Sequence, residues 1–132
     1  NALMQGPENH YALGEEVARI IWAPVMRSHR ITVEQMAILE PGLSETVCAT
    51  LLSAMRDAMD EAIRRGVPKE AARDFLLGHM NILAAVTFEE INGQFSDACN
   101  KAIVFGKETI LKPDWLRLFE PEEIKDSVKR IT

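Results

Sequence analysis

Fourteen residues from Phe75 to Phe88 are apolar with few exceptions, and they set the first limit on the fold. The run is too short to cross a membrane as a helix, which needs about 20 apolar residues. The polar residues His79 and Asn81 interrupt its middle. A helix that is apolar nearly all round is buried, either in a domain core or in a subunit interface. We therefore predict that this segment is a long central buried helix.

The preceding segments also show helical spacing, interrupted by proline. A first helix is expected to begin near His10, with Asn9 as a possible cap, and to kink or end at Pro24. Thr32 and the glutamine three residues later form a capping-box pattern. This pattern predicts a short helical turn that stops at Glu40–Pro41.

The next helix is expected to run from Pro41 to Arg65. Proline suits the first helical position because its missing N–H would have no partner there, and Gly66 suits the position just past the end. This helix carries a broad apolar stripe, which favours contact with more than one neighbour. Val67–Pro68 then begins the central helix in the same way.

The C-terminal third contains shorter helices. Ser96 can cap a helix that runs through Phe105 and is ended by Gly106. A further turn begins at Pro113, and Pro121 opens a last helix, with acidic residues in its first turn and basic residues in its last. The chain is therefore predicted to be all-α and multi-helical.

Charge and composition exclude several classes of protein. The chain has 132 residues, a net charge of −5 and no clustering of its 15 basic residues, so nucleic-acid binding is not expected. No secretory leader is recognisable, and we expect a cytoplasmic protein with no membrane partner. Two cysteines, Cys48 and Cys99, are too few for a disulfide scaffold and are expected to be ordinary buried thiols.

Local catalytic motifs are missing from the sequence. It has no Gly-x-Gly-x-x-Gly and no P-loop to hold phosphates, no His-Glu-x-x-His and no Glu-x-x-His pair. The three histidines are too far apart in sequence for a local metal site, so no metal is predicted.

The polar residues inside the central helix allow two interpretations. A buried imidazole and a buried amide each need hydrogen-bond partners, so His79 and Asn81 could simply fix helix packing. They could instead face a ligand cleft, where an imidazole can move a proton near neutral pH. On a regular helix, residues two apart point about 200° from each other, so both cannot face one small site.

Two further segments could bind an anion. Glu45 and Ser44 lie near a predicted helix start, where free N–H groups and hydroxyls favour an anionic substrate and Glu45 could transfer protons. The alternative is that they are ordinary first-turn residues. The loop from Arg27 to Arg30 is either a solvated connection or a site for a substrate carboxylate.

Seven stretches of the chain are informative in combination. They are Gln5–Tyr11, Ala23–Arg30, Thr32–Pro41, Leu43–Thr46, Gly78–Ile82, Phe95–Ala98 and Lys112–Trp115. Together they resemble the C-terminal helical domain of phosphogluconate-dehydrogenase-like NAD(P)-dependent oxidoreductases, the D-apionate oxidoisomerase group. The resemblance covers nearly the whole chain.

This resemblance implies that the chain is part of a longer enzyme. Residues 1–6 would be the tail end of a Rossmann domain that binds NAD or NADP, and residues 7–132 would form the substrate-binding and dimerisation domain. The chain alone would then be inactive and dimeric, through its apolar helices. The reaction implied is hydride transfer between the nicotinamide and a hydroxy or keto sugar acid, either alone or coupled to isomerisation or decarboxylation.

The resemblance also suggests roles for individual residues. Wider superfamily members use a helix motif with Lys and, further on, Asn, whereas the comparable segment Gly78–Asn81 has no Lys. We therefore predict that His79 transfers the proton, that Asn81 binds substrate oxygens and that Glu45 orients or shares the proton. The predicted substrate-binding residues are Ser44, His29 and Arg30.

A rival hypothesis belongs to another class of protein. The chain could be a free-standing helical module whose apolar helix binds a partner or a small ligand without catalysis. An upstream sequence with no dinucleotide fingerprint would favour this module.

Overall fold

A computed structural model of the chain describes residues 1–131. Within that range the backbone is helical apart from its connections and one isolated parallel bridge, which confirms the all-α prediction. The elements in chain order are α1 (His10–Ile21), α2 (Val33–Ala37), a π-helix (Ile38–Ala49), α3 (Thr50–Arg64), α4 (Lys69–Thr87), α5 (Asp97–Ile110), a 3₁₀ helix (Trp115–Phe119) and α6 (Pro121–Ile131). None of the helices in this range combines the length and the apolar character needed to cross a membrane.

The chain divides into two compact units. The first unit contains Asn1–Thr50 and the described residues from Leu116 onward, and the second contains Leu51–Trp115. The first unit therefore holds α1, α2, the π-helix and α6, whereas the second holds nearly all of α3 and the whole of α4 and α5.

Helix α1 begins at the predicted residue but is capped differently. The side chain of Asn9 makes no capping hydrogen bond, so its prediction as a cap is wrong. Backbone carbonyls satisfy the first turn instead, since the N–H of His10 donates to the Pro7 oxygen at 2.9 Å and that of Tyr11 to the Glu8 oxygen at 3.1 Å. The helix ends at Ile21, before the cis peptide bond that precedes Pro24.

The predicted capping box at α2 is present, but the helical backbone does not stop at Pro41. The Gln35 N–H donates to Thr32 Oγ1 at 3.2 Å, and the Thr32 N–H donates to Gln35 Oε1 at 2.9 Å. The π-helix follows directly and continues into α3, so Pro41 is internal and not the first residue of a new helix. A proline ring clashes with the carbonyl four residues earlier in an α-helix, and the backbone departs from α geometry in this segment.

The core of the first unit lies where the π-helix meets α6. The buried residues among those described are Pro41, Gly42 and Ile124. A Cβ added at Gly42 would lie 2.9 Å from Ile124 Cδ1 and 3.4 Å from a ring carbon of Phe119, so only glycine fits without movement. The hydroxyls of Thr46 and Ser127 are 3.2 Å apart and join the same two helices.

This close approach predicts the effect of a pair of substitutions. Gly42→Ala is expected to destabilise the protein by about 1–3 kcal/mol through overpacking. Ile124→Val removes the Cδ1 atom that the new Cβ would meet. By itself this substitution lowers the free energy of unfolding by about 0.5–1.5 kcal/mol. We expect the double variant to be more stable than the sum of the single effects predicts, as measured by urea unfolding of the full-length gene product. Strict additivity would show that the two residues do not compete for the same space.

The ends of the helices in the second unit agree in part with their predictions. Gly66 follows α3 with a φ of 101°, the left-handed conformation that favours glycine, as predicted. Ser96 caps α5 by accepting a hydrogen bond from the Cys99 N–H at 3.2 Å, also as predicted. The predicted end of this helix at Gly106 is wrong, because Gly106 does not adopt positive φ and α5 continues to Ile110.

The apolar face of α4 is only partly covered within the described chain. No residue of α3, α4 or α5 is buried, and Phe75 and Phe88 are 70% and 74% exposed. Burial of α4 in a core formed by this chain is therefore not observed. The alternative, burial in a subunit interface, remains a prediction.

Candidate functional site

Helices α3 and α4 form the two walls of an apolar groove in the second unit. The connection between them has only four residues, Arg65 to Pro68, so the helices run antiparallel. The groove has a volume of about 590 Å³. Its lining residues are Met55, Ala58, Met59, Ala62, Val67, Ala71, Ala72, Phe75, Leu76 and His79. His79 is the polar member of this set and stands at the end away from the connection.

The position of His79 is fixed by the preceding turn of α4. Its Nδ1 atom lies 2.8 Å from the backbone oxygen of Phe75, and its ring stacks on the Phe75 ring with centroids 4.1 Å apart. A carbonyl oxygen only accepts hydrogen bonds, so Nδ1 carries the hydrogen in this contact. The neutral imidazole therefore has its lone pair on Nε2. The side chain is exposed within the described chain.

Asn81 is exposed and does not line the groove. Helix α4 is a regular α-helix throughout this region, so Asn81 points about 200° away from His79. One small site therefore cannot hold both side chains, as the sequence predicts. A role for Asn81 therefore requires a ligand that reaches another face of α4.

Ser44 and Glu45 lie inside the π-helix of the first unit and are exposed. Their predicted place in the first turn of a helix is wrong, because helical backbone precedes them without a break from Val33. The free N–H groups of a helix start are therefore not available at Ser44 and Glu45 to bind an anion. π-Helical segments are nevertheless frequent at functional sites, and the Thr46 hydroxyl holds this one by donating to the Pro41 oxygen at 2.5 Å.

The loop that carries His29 and Arg30 borders a second groove, of about 770 Å³, in the first unit. Arg30 is paired there with Glu15: its Nη2 and Nε atoms donate to Glu15 Oε2 at 2.7 and 3.1 Å. Its guanidinium also lies 5.7 Å from the centre of the Tyr11 ring. The hydrogen bond from Arg30 is the main cause that lowers the pKa of Glu15, and a hydrogen bond from Ser28 adds to it.

The Glu15–Arg30 pair predicts a pH dependence of stability. Because the folded state lowers the pKa of Glu15, the pair stabilises the fold above the unfolded-state pKa and loses its contribution as pH falls through the lowered value. We expect Glu15→Gln to destabilise the protein modestly at neutral pH, and the difference from wild type to shrink in acid. Thermal melts across that range measure it. A difference that grows in acid would contradict this account.

The cysteines differ from their prediction. Cys48 is exposed and Cys99 is half-buried. Across residues 1–131, no three side chains of His, Cys, Asp or Glu are grouped closely enough to hold a metal ion.

The predicted site residues thus fall in two places. His79 and Asn81 belong to the second unit, and Ser44, Glu45, His29 and Arg30 belong to the first. The role of Phe75, whose carbonyl sets the tautomer of His79, was not predicted from the sequence. The spacing of four residues between them was the available indication, because such residues are neighbours on a helix.

The chain belongs to the family of phosphogluconate dehydrogenase (decarboxylating) C-terminal domains, whose model matches residues 1–132. It is 70% identical over 132 residues to a D-apionate oxidoisomerase from Rhizobium rhizogenes, covering all of this chain and 48% of that protein. A D-apionate oxidoisomerase from Cupriavidus necator is 68% identical with the same coverage.

A solved structure has the same fold. The crystal structure of a semialdehyde dehydrogenase NAD-binding protein from Cupriavidus necator, in complex with calcium and NAD, matches with a TM-score of 0.95 and 69% identity. The match covers 99% of this chain and 48% of that one. The chain thus spans about half the length of the relatives it matches, and the family predicted from the sequence is confirmed.

Proposed function

We propose that this chain is the substrate-binding and dimerisation domain of an NAD-dependent oxidoreductase that acts on a hydroxy or keto sugar acid, with D-apionate as the first candidate. The observation that carries the proposal is the geometry of His79. Its Nδ1–H is held by the Phe75 carbonyl, which leaves a basic, exposed Nε2 at the end of the groove. The names of the similar D-apionate oxidoisomerases supply the substrate class.

The described residues lack the unit that usually holds a dinucleotide. Its pyrophosphate is usually held by a glycine-rich turn between a strand and a helix, and residues 1–131 contain no such unit. We propose that the rest of the protein binds most of the dinucleotide, as NAD or NADP. When bound, a nicotinamide supplies a hydride acceptor or donor.

The chemistry assigned to this chain is movement of one proton. As a hydroxyl carbon loses hydride, its oxygen must lose a proton, and His79 Nε2 is the base we propose for it. The Phe75 carbonyl stabilises the imidazolium that forms, because Nδ1–H then becomes a stronger donor. Asn81 stays a proposed ligand for substrate oxygens, for a substrate that extends around α4 from His79, and Glu45 stays a proposed group that orients or shares the proton. Ser44, His29 and Arg30 remain proposed contacts to the substrate.

We also propose that a second copy of the chain covers the α3–α4 groove. An uncovered apolar groove of this size is unfavourable in water, and large exposed apolar patches mark interaction surfaces. In a twofold dimer the same surface is used on both copies, so the groove of each can receive apolar residues of the other. His79, at the end of the groove, can then remain open to a small ligand.

The test is turnover by the full-length product of the gene that encodes this chain. We expect reduction of NAD when D-apionate is supplied, followed by nicotinamide absorbance. Related sugar acids and NADP should be run in parallel, because they define the specificity. Binding of neither dinucleotide and turnover of none of the acids would overturn the proposal and favour a helical interaction module.

A further inference from the structure

We propose that the groove of the first unit is a receptor for an anionic group, and that Arg27, with Arg19 and His29, binds it. The inference rests on the proposed function only for the source of the anion. Carboxylate on a sugar acid and phosphate on a dinucleotide share the required chemistry, and guanidinium binds both in a bidentate way.

The charges around this groove are unequal. Arg19, Arg27 and Arg30 all line it, and Glu15 is the one carboxylate among its described lining residues. Glu15 is already engaged by Arg30 through two hydrogen bonds. Three guanidiniums therefore share one carboxylate at the groove. Arg19 acts on Glu15 only through its charge, and no ion pair joins Arg19 or Arg27 to another residue in the range 1–131.

The loop that presents Arg27 and His29 is held in place by hydrogen bonds of its backbone. The Ile31 N–H donates to the Asn1 oxygen at 3.1 Å, and Ile31 pairs with Ala2 in the parallel bridge. The Tyr11 hydroxyl donates to the Ile31 oxygen at 2.8 Å. A receptor whose frame is fixed before binding loses less entropy when its ligand arrives.

These contacts separate the roles of neighbouring residues. Arg30 holds the loop against α1 through Glu15, in addition to its proposed contact with the substrate. Arg27 and His29 are exposed on the same loop, and they remain available to a ligand. Apart from Asn1 and Ser28, the remaining wall of the groove is apolar. Its apolar members are Ala18, Trp22, Val25, Ile31, Met36 and Leu39.

The test compares variants of the full-length gene product. Arg27→Ala should raise KM for either the sugar acid or NAD by about tenfold to a hundredfold, with kcat nearly unchanged, because a charge-assisted hydrogen bond is lost. Arg27→Lys should recover part of the loss. Arg130→Ala is the matched control, since it removes an exposed arginine of α6 that pairs with Asp126 away from the groove.

The pattern of KM values identifies the source of the anion. A rise for D-apionate alone indicates a carboxylate, and a rise for NAD alone indicates a phosphate. Unchanged KM values for both in a folded, active Arg27→Ala variant would overturn the proposal. If the wild type shows no turnover, calorimetry with D-apionate and with inorganic phosphate decides: binding that Arg27→Ala abolishes supports the receptor, and no binding by wild type refutes it.

Discussion

Replacing His79 with glutamine is expected to lower kcat of the full-length enzyme by about 10²–10⁴-fold, the usual contribution of a positioned general base. Glutamine keeps a polar side chain of moderate size but cannot accept the proton that Nε2 accepts in our account. KM should change little, since His79 is proposed to act on the proton that moves in the transition state. Steady-state kinetics with D-apionate and NAD measure both parameters.

The control for this variant is His10→Gln. This substitution changes an exposed histidine of the first unit, whereas His79 belongs to the second. We expect it to retain nearly full activity. A second readout is the pH profile of kcat, which should lose the ionisation of the base in His79→Gln. A folded His79→Gln variant with kcat within a few-fold of wild type would remove His79 from the mechanism and leave it as a packing residue.

Met59→Glu is expected to abolish the proposed dimer. Met59 lines the α3–α4 groove, and covering the groove would bury the new carboxylate without a partner. An unpaired buried charge costs about 3–5 kcal/mol, which weakens association by about a hundredfold to several thousandfold. Light scattering of the full-length gene product over a range of concentrations measures the change in mass.

Ser53→Glu provides the matched control for this experiment. It adds the same charge to the same helix, at an exposed position that does not line the groove. We expect it to remain dimeric, and circular dichroism should show that both variants keep their helices. A monomeric wild type, or a Met59→Glu dimer as tight as that of wild type, would show that the groove is not the interface.

The sequence was most informative about local structure. The Thr32 capping box, the Ser96 cap and the glycine after α3 were all predicted, because each depends on residues a few positions apart. The π-helix was not predicted, since its hydrogen-bond pattern leaves no distinct spacing of apolar residues, and proline at position 41 suggested a helix start. The pairing of Glu15 with Arg30 joins two distant segments, and only the fold reveals it.

The apolar pattern of α4 predicts burial of the helix but not the surface that buries it. It showed that the helix needs cover, but a pattern of side chains cannot say whether the same chain or another supplies that cover. The same holds for the candidate site. His79 was identified from its unusual surroundings, whereas its tautomer followed only from the contact with the Phe75 carbonyl.

The most direct test of the central claim is a crystal structure of the full-length gene product with NAD and a sugar acid bound. Our account predicts that His79 Nε2 lies within about 3.2 Å of the reacting hydroxyl oxygen. It also predicts that Nδ1 still contacts the Phe75 carbonyl and that a second copy covers the groove. A sugar acid bound away from α4, with His79 enclosed by protein and out of its reach, would contradict the account.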